Sequence, residues 1–306
     1  MPAGVREADL RDLAECARIT AFVEAADGAT PFHLPAWSLA VQDGCGQRAH
    51  YLVSEREGAI VGVLPLTEMR SSLFGRALVS TGFGVDGGIL GDAVEPLSAG
   101  AWNLALRIAC PSVELRGGAA PAGWDSDDGS YLGFVRDLAV DDDAELLAIP
   151  RKQRAEVRRS LGFDLEIVTG TNRKLLAEHY RVYAKSVRNL GTPVFPAKLF
   201  RSVASVMDAD VLTVLHEGKA VASVLSLYFN GTVYPYWGGG IDPARGLRAN
   251  DRMYFVLMAH ARARGCTRFD LAVRKPARVP LRIRRTGGSS PNRGSTPSAA
   301  KARRAR

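Results

Sequence analysis

The chain has 306 residues, 46% hydrophobic and 24% charged, a composition typical of a folded globular protein. No apolar run approaches the roughly 20 residues of a membrane-spanning helix, and the start MPAGVREADLRD contains no hydrophobic signal segment. The net charge of +8 is concentrated after residue 272, where eleven Lys or Arg occur without Asp or Glu. Subtracting them leaves −3 for residues 1–272, so the folded body is not expected to be basic.

The four cysteines, Cys16, Cys45, Cys110 and Cys266, are far apart and show no CxxC or metal-ligand spacing. We therefore expect reduced thiols in a cytoplasmic protein and no metal site.

The first half predicts strands, then a glycine-rich loop, then a helix. Residues 49–71 alternate apolar and polar side chains around Glu57-Gly58, a pattern typical of a β-hairpin. Residues 76–90 predict a strand and a glycine-rich loop, and residues 93–111 predict an amphipathic helix. A strand is expected over 112–118.

The second half repeats this order. Residues 171–191 predict a helix that ends at a glycine. Residues 209–241 predict a three-stranded meander, in which Asn230-Gly231 is a strong hairpin signal. A helix is expected over 249–265, with Asn250 or Asp251 near its N-cap, and a strand over 266–271.

This repetition predicts an α+β fold duplicated in tandem, with mixed, largely antiparallel sheets. The halves meet near an acidic run and Pro150, within 141–160. We expect an N-terminal domain over 1–148 and a C-terminal domain over 149–272. Residues 273–306 are rich in Pro, Ser and Gly and lack aromatics, which favours a disordered, solvated tail over a nucleic-acid-binding one.

The stretch YWGGGIDPARGLRAND (236–251) is the most informative. Glycines permit close approach of the backbone, and a helix N-terminus offers free N–H groups to an anion. Arginines add donors that suit a phosphate. We expect a pyrophosphate or another polyanion here, contacted by Gly238, Gly239, Gly240, Arg245, Gly246, Arg248 and Asn250. The alternative is a plain turn with solvated arginines.

Further candidate contacts to an anionic substrate lie outside this stretch. The basic helix expected over 149–162 places Arg151, Arg154 and Arg158 on one face, although a solvated linker helix explains it equally well. The remaining candidates for substrate binding are Arg188, Trp37 and Trp237. His33 is expected to cap or pack rather than to react.

No Ser-His-Asp order, GxSxG elbow or pair of acidic residues indicates a covalent nucleophile. This argues against a hydrolase of that kind.

Several blocks of the sequence resemble the FemAB-related proteins, and specifically the subgroup associated with PEP-CTERM/exosortase exopolysaccharide loci. The resemblance runs from about residue 30 to Asp270 and rests on TPFHLPAW, RKQRAEVRRSL, SVRNLGTPVFP and YPYWGGG. It implies tandem GNAT-like domains that transfer an acyl or aminoacyl group to an amine of a cell-envelope or exopolysaccharide precursor.

The resemblance further implies direct transfer, with no permanently bound cofactor and with acyl-CoA or aminoacyl-tRNA as donor. The partners would be a small-molecule, glycan or peptide precursor and tRNA; the oligomeric state is left open. Tyr234, Tyr236 and Asp242 are the candidates for the proton route. The GNAT phosphate-loop pattern R-G-x-G-x-A is matched loosely, with Arg248 in the place of the second glycine.

The sequence diverges from these relatives after Asp270, where they continue with Phe-Gly-Arg-Ser-Lys and later Trp-Gly-Phe. Codons that are permitted for residues 271–290 encode the same amino-acid sequences when they are read one nucleotide out of frame. We hypothesise a single-nucleotide deletion near codons 270–271, which would leave the second domain without its final hairpin, its sheet edge exposed and its activity lost. The alternative functions are a catalytically silent scaffold in an exopolysaccharide or protein-sorting system, and nucleic-acid binding through the tail.

Overall fold

The computed structural model describes residues 4–71, 75–125 and 131–274. The helices are α1 (Leu13–Ala25), α2 (Pro35–Cys45), α3 (Val94–Arg107), α4 (Asp142–Ala148), α5 (Arg151–Ser160), α6 (Arg173–Asn189), α7 (Ala197–Val206), α8 (Asp242–Gly246) and α9 (Ala249–Ala263). The strands are β1 (Gly4–Glu7), β2 (Arg48–Arg56), β3 (Ala59–Ser71), β4 (Gly75–Ser80), β5 (Leu90–Gly91), β6 (Val113–Leu115), β7 (Tyr131–Asp137), β8 (Glu166–Gly170), β9 (Ala209–His216), β10 (Lys219–Phe229), β11 (Thr232–Gly240) and β12 (Arg268–Arg274).

The first sheet has the order β1-β2-β3-β4-β6, and β5 also pairs with β3. The predicted hairpin is confirmed: β2 and β3 pair antiparallel across a turn in which Glu57 and Gly58 both have positive φ. This conformation matches the right-handed twist of the two strands. At the other side of the sheet β4 and β6 run parallel, because α3 forms the crossover between them.

The second sheet has the order β7-β12-β11-β10-β9-β8. The predicted meander is β9, β10 and β11, and the predicted turn at Asn230-Gly231 is in place. The predicted α+β fold with two mixed sheets is thereby confirmed. The strand β12 runs parallel to β11 and antiparallel to β7.

The pairing of β7 with β12 corrects two expectations. The boundary expected after residue 148 assigns β7 and α4 to the first half, whereas β7 extends the second sheet and the buried Glu145 of α4 pairs with Arg262 of α9. The outer edge of β12 is also covered rather than exposed, because β7 hydrogen-bonds along it. Residues 273 and 274, expected in the tail, belong to β12, and the rest of the predicted tail lies outside the described residues.

The two halves share one hydrophobic core. A single cluster joins Ile19, Phe32 and Trp37 of the first half to Phe200 and Trp237 of the second. Helices α2 and α7 cross so closely that a methyl group on Gly44 would lie 2.5 Å from the Cα of Leu199. This close approach fixes one sheet against the other.

Some local details differ from the sequence predictions. Helices α1, α2 and α7 were not predicted, and Arg248 occupies the N-cap of α9 in place of Asn250 or Asp251. The four cysteines are free. Among the described residues, no helix has the length and apolar character needed to cross a membrane.

Candidate functional site

The parallel strands β11 and β12 separate almost as soon as they have paired. Their register covers only Thr232 with Arg268 and Val233 with Phe269. Beyond these positions β11 pairs with β10, and β12 pairs with β7. The two strands therefore diverge and leave their facing edges unpaired, so that a ligand can lie between them.

Tyr234 and Asp270 are the first residues past the last paired position on each strand. Burial raises the pKa of Tyr234 to about 12, so the phenol is neutral at pH 7. Burial also raises the pKa of Asp270 to about 6, and the negative charge of Asp86 acts in the same direction. A carboxylate with this pKa is ionised at neutral pH and is a stronger proton acceptor than an ordinary aspartate.

Asp86 comes from the other half of the molecule. It lies in the first loop, which we define as residues 81–89, between β4 and β5. Burial raises the pKa of the Asp86 carboxyl as well. Among the described residues, no hydrogen bond or ion pair engages the carboxylate of Asp86 or Asp270, so both are available to a ligand.

Neither carboxylate was among the predicted site residues. The signal for Asp270 was present, because an aspartate interrupts the apolar residues Phe269 and Leu271 of the strand. Nothing in the local sequence of the first loop indicates that Asp86 reaches the second half.

The predicted anion site lies beside this opening, at the end of β11 and in the second loop, which we define as residues 241–248. The three glycines of β11 are required by the protein's own packing. Methyl groups there would collide with Val224 at Gly238, with Ser186 at Gly239, and with Ala244 and Asn250 at Gly240. Close approach of the chain to itself therefore explains these glycines without a ligand; their contact with a cofactor stays a prediction.

The two arginines of the second loop have different surroundings. Arg245 is exposed, as are its neighbour Gly246 and the helix residue Asn250. Arg248 adopts the left-handed conformation, with φ of 54°, and its Nε lies 2.6 Å from the carboxylate of Glu156 on α5. Arg248 thus fastens α5 to the start of α9, and Arg245 is the arginine free to meet an anion.

The other predicted catalytic residues are engaged elsewhere. Tyr236 donates a hydrogen bond of 2.6 Å to the carbonyl of Phe83 in the first loop. Asp242 is exposed, and its carboxylate lies 3.4 Å from the Nζ of Lys185. Neither position is a free proton acceptor beside the opening.

The predicted substrate contacts divide into exposed and structural groups. Arg151, Arg158 and Arg188 are exposed. Arg154 differs, because its guanidinium donates to the carbonyls of Leu147 and Ile149 and so closes the end of α4. Arg154 therefore holds two helices together, which corrects the expectation that it shares the exposed role of Arg151 and Arg158.

The two tryptophans belong to the core. Trp37 has no exposed surface and donates a hydrogen bond to the carbonyl of Gly82, and Trp237 is only 5% exposed. Their rings lie 5.7 Å apart between the two halves. Because both rings are buried, neither offers a surface to a substrate. This corrects the expectation that Trp37 and Trp237 bind the substrate.

His33 caps and packs, as expected. Its Nδ1 accepts a hydrogen bond from the backbone N–H of Thr30, and burial lowers the pKa of its imidazole to about 4. Within the described ranges, no group of three or more His, Cys, Asp or Glu is placed to hold a metal ion.

Comparison with known proteins places the fold. Residues 149–276 match the family described as "Acetyltransferase (GNAT) domain". The alignment with the crystal structure of FemX covers 90% of this chain and 91% of the FemX chain, with a TM-score of 0.63 and 13% identity. A tandem GNAT protein from the clavulanic acid biosynthesis pathway gives the same coverages, with a TM-score of 0.53 and 11% identity. No curated protein matches the sequence. At these identities the likeness to solved structures concerns the fold, a GNAT fold present in tandem.

Proposed function

We propose that this protein is an N-acyltransferase that moves an acyl or aminoacyl group directly from a carrier to an amine. The observation that carries the proposal is the half-buried, unpaired carboxylate of Asp270 at the point where β11 and β12 separate. The GNAT match over residues 149–276, which includes both strands, supports the same reaction class.

The proposed chemistry needs no covalent intermediate on the protein. The amine nitrogen attacks the carbonyl carbon of the donor, a C–N bond forms, and the bond from that carbon to the carrier's sulfur or oxygen breaks. Asp270 accepts the proton that the amine loses and releases it to solvent, and the carrier leaves with its bonding electron pair and takes up a proton from solvent. Holding both reactants between the strands replaces a bimolecular encounter with an oriented one.

For the donor we propose a phosphate-bearing carrier, either acyl-CoA or aminoacyl-tRNA. The exposed Arg245 of the second loop supplies positive charge after the end of β11. The exposed Arg188 of α6 supplies more, since it follows two residues after Ser186, which lies against Gly239 of β11. The backbone N–H groups at the start of α9 add further donors to an anion. Both carriers share this chemistry, so they are distinguished only by experiment.

For the acceptor we propose an amine of a cell-envelope or exopolysaccharide precursor, reached from the cytoplasm. This step rests on the sequence resemblance to the FemAB-related proteins of the PEP-CTERM/exosortase subgroup. The likeness to FemX supports the fold that such a reaction would use.

We also propose that residues after Asp270 are read out of frame relative to that subgroup. The GNAT match ends at residue 276, a few positions after the divergence, which supports this reading. The coding DNA around codon 270 tests it. A restored frame that encodes Phe-Gly-Arg-Ser-Lys should raise stability and activity, and equal behaviour of the two chains would refute the proposal.

The transfer reaction is tested by incubating the full chain with acyl-CoA thioesters in one arm and aminoacyl-tRNA in the other, each with a panel of primary amines. Mass spectrometry should detect an amide product in one arm and none with Asp270→Asn. Product formed equally well by Asp270→Asn would contradict the role of this carboxylate. Absence of product and of donor binding in both arms would contradict the function itself.

A further inference from the structure

Arg116 is one of the side chains that hold the first loop in place. Arg116 follows β6, and its Nη1 donates to the carbonyls of Gly84 (3.1 Å) and Thr81 (3.4 Å), while its Nε donates to Glu114 at 2.7 Å. The side chain is only 15% exposed. The guanidinium supplies a donor to the carbonyl of Gly84 and a second donor to the carbonyl of Thr81, which also accepts from the backbone N–H of Gly84.

The backbone after Arg116 also fits against the loop. A methyl group on Gly117 would lie 2.9 Å from Oδ1 of Asp86, and one on Gly88 would overlap the carbonyl oxygen of Gly117. On its other side the loop is fastened by the hydroxyl of Thr30, which donates to the carbonyl of Asp86 at 2.7 Å. These contacts hold the Asp86 carboxylate from the first half. The hydrogen bond from Tyr236 of β11 to the carbonyl of Phe83 sets the first loop against the strand that carries Tyr234, and the partner of that strand carries Asp270.

We propose that the first half of the chain completes the transfer site: Arg116 is a positioning residue that holds the first loop so that the Asp86 carboxylate stays beside Asp270. This inference rests on the proposed function, because it assigns a role to Asp86 in that same site. The duplicated fold would then work as one site built from both halves.

Burial and two charged groups act on Asp270 in this arrangement. Asp86 from the first loop and burial favour its protonated form, whereas Arg268 on the same strand favours its ionised form. Tyr234 faces it from β11 as a neutral phenol. Removing the charge of Asp86, or letting the first loop move, must therefore make Asp270 more acidic.

The test compares Asp86→Asn, Arg116→Met and the double variant in the full chain. The readouts are the carboxyl ¹³C titration of Asp270 and the pH profile of kcat/KM, which reports groups of the free enzyme. Each single variant should lower the pKa of Asp270, and with it the acidic limb of the kcat/KM profile, by about half a pH unit or more. The double variant should move it no further than Asp86→Asn alone, because Arg116 acts through Asp86. Asp92→Asn and Arg70→Met are exposed controls that should leave the titration unchanged.

An unchanged titration of Asp270 in Asp86→Asn overturns the inference, and so do additive shifts in the double variant. If Arg116→Met does not fold, Arg116→Lys replaces it. The lysine keeps the charge but makes fewer hydrogen bonds, so we expect a smaller shift in the pKa of Asp270. The titration is measured without substrate. A failure of the proposed transfer reaction is thus distinguishable from a failure of this inference.

Discussion

The first loop and the second loop follow corresponding strands, β4 and β11, yet their surroundings are opposite. Side chains fill the first loop: Trp37, Tyr236 and Arg116 all donate to its carbonyls. Its glycines pack against Thr67, Thr81 and the backbone of Gly117. The second loop keeps Arg245 and Gly246 exposed. In this duplicated fold the first loop is therefore closed by packing, and the second loop is open to solvent at Arg245 and Gly246.

A glycine-rich loop is therefore not a ligand site by composition alone. In the first loop the glycines allow the chain to pack on itself, and the same is true of Gly238, Gly239 and Gly240 in β11. Gly246 in the second loop, by contrast, has no atom within 4 Å of the position that a Cβ would take. The open and closed loops should therefore differ in function and in stability.

The largest effect is expected for Asp270→Asn, which removes the proton acceptor from the open side. The transfer rate should fall about 100- to 10,000-fold, the range typical of general-base removal. Single-turnover kinetics at saturating donor measure it. Asp137→Asn, an exposed position on the neighbouring strand β7, is the matched control and should retain the parent rate. A loss below threefold in Asp270→Asn would remove this residue from the mechanism.

The next effect separates the two loops by stability. In Gly88→Ala the new methyl group meets the carbonyl of Gly117, so the backbone must shift, at a cost of about 2–3 kcal/mol in the free energy of unfolding. In Gly246→Ala the methyl group meets open space, and the change should stay within about 0.5 kcal/mol. Urea unfolding of both variants compares them directly. Equal losses would mean that the second loop is as closed as the first.

A smaller effect concerns donor binding by the second loop. Arg245→Ala should weaken binding of the phosphate-bearing donor by about 1.5–3 kcal/mol, the worth of a charge-assisted hydrogen bond. Arg248→Ala should weaken it less, because the guanidinium of Arg248 is held by Glu156. Calorimetry with the donor that binds the parent chain provides the measurement, and Arg56→Ala, exposed at the first hairpin, is the control. The reverse order of the two losses would show that Arg248 leaves Glu156 to bind the anion.

The smallest effect is a pH-dependent gain in stability in Asp270→Asn. The pKa of Asp270 is about 6 in the folded chain, above the ordinary value of about 3.9, so the folded state binds its proton more tightly. Ionisation of Asp270 therefore destabilises the folded state. The destabilisation is absent below about pH 4, grows from pH 4 to 6 and is complete above pH 6. Because the site is partly open to solvent, we expect Asp270→Asn to gain only about 1 kcal/mol at pH 7.5 and nothing at pH 4. Urea unfolding at both pH values shows whether the gain has this sign.

Much of the fold was predictable because its signals are local. The turns at Glu57-Gly58 and Asn230-Gly231 fix the hairpins, and each has the positive φ values that such turns require. The meander and the helix after it follow from periodicity alone. The antiparallel pairing of β7 with β12 joins segments about 130 residues apart, and no local pattern specifies it.

The candidate site was less predictable, for the same reason. Arg154 and Trp37 look like ligand contacts in sequence, and only the structure shows that their partners are carbonyl groups of the protein itself. The relation of Asp86 to Asp270 depends on how the halves dock. Arg248 does carry a readable signal: it occupies a glycine position of the loop pattern, and its backbone is left-handed, as glycine's commonly is.

The shared core between α2 and α7 bears on how substrates enter. A hinge opening between the halves would pull Trp37 away from Phe200 and Trp237 and expose their rings to water. Each fully buried large side chain is worth about 1.5–3 kcal/mol, so such an opening would cost much of the stability of a typical domain. The two halves should accordingly unfold in one cooperative transition rather than move as separate lobes. The opening between the diverging strands β11 and β12 would then be reached while the two halves stay packed together.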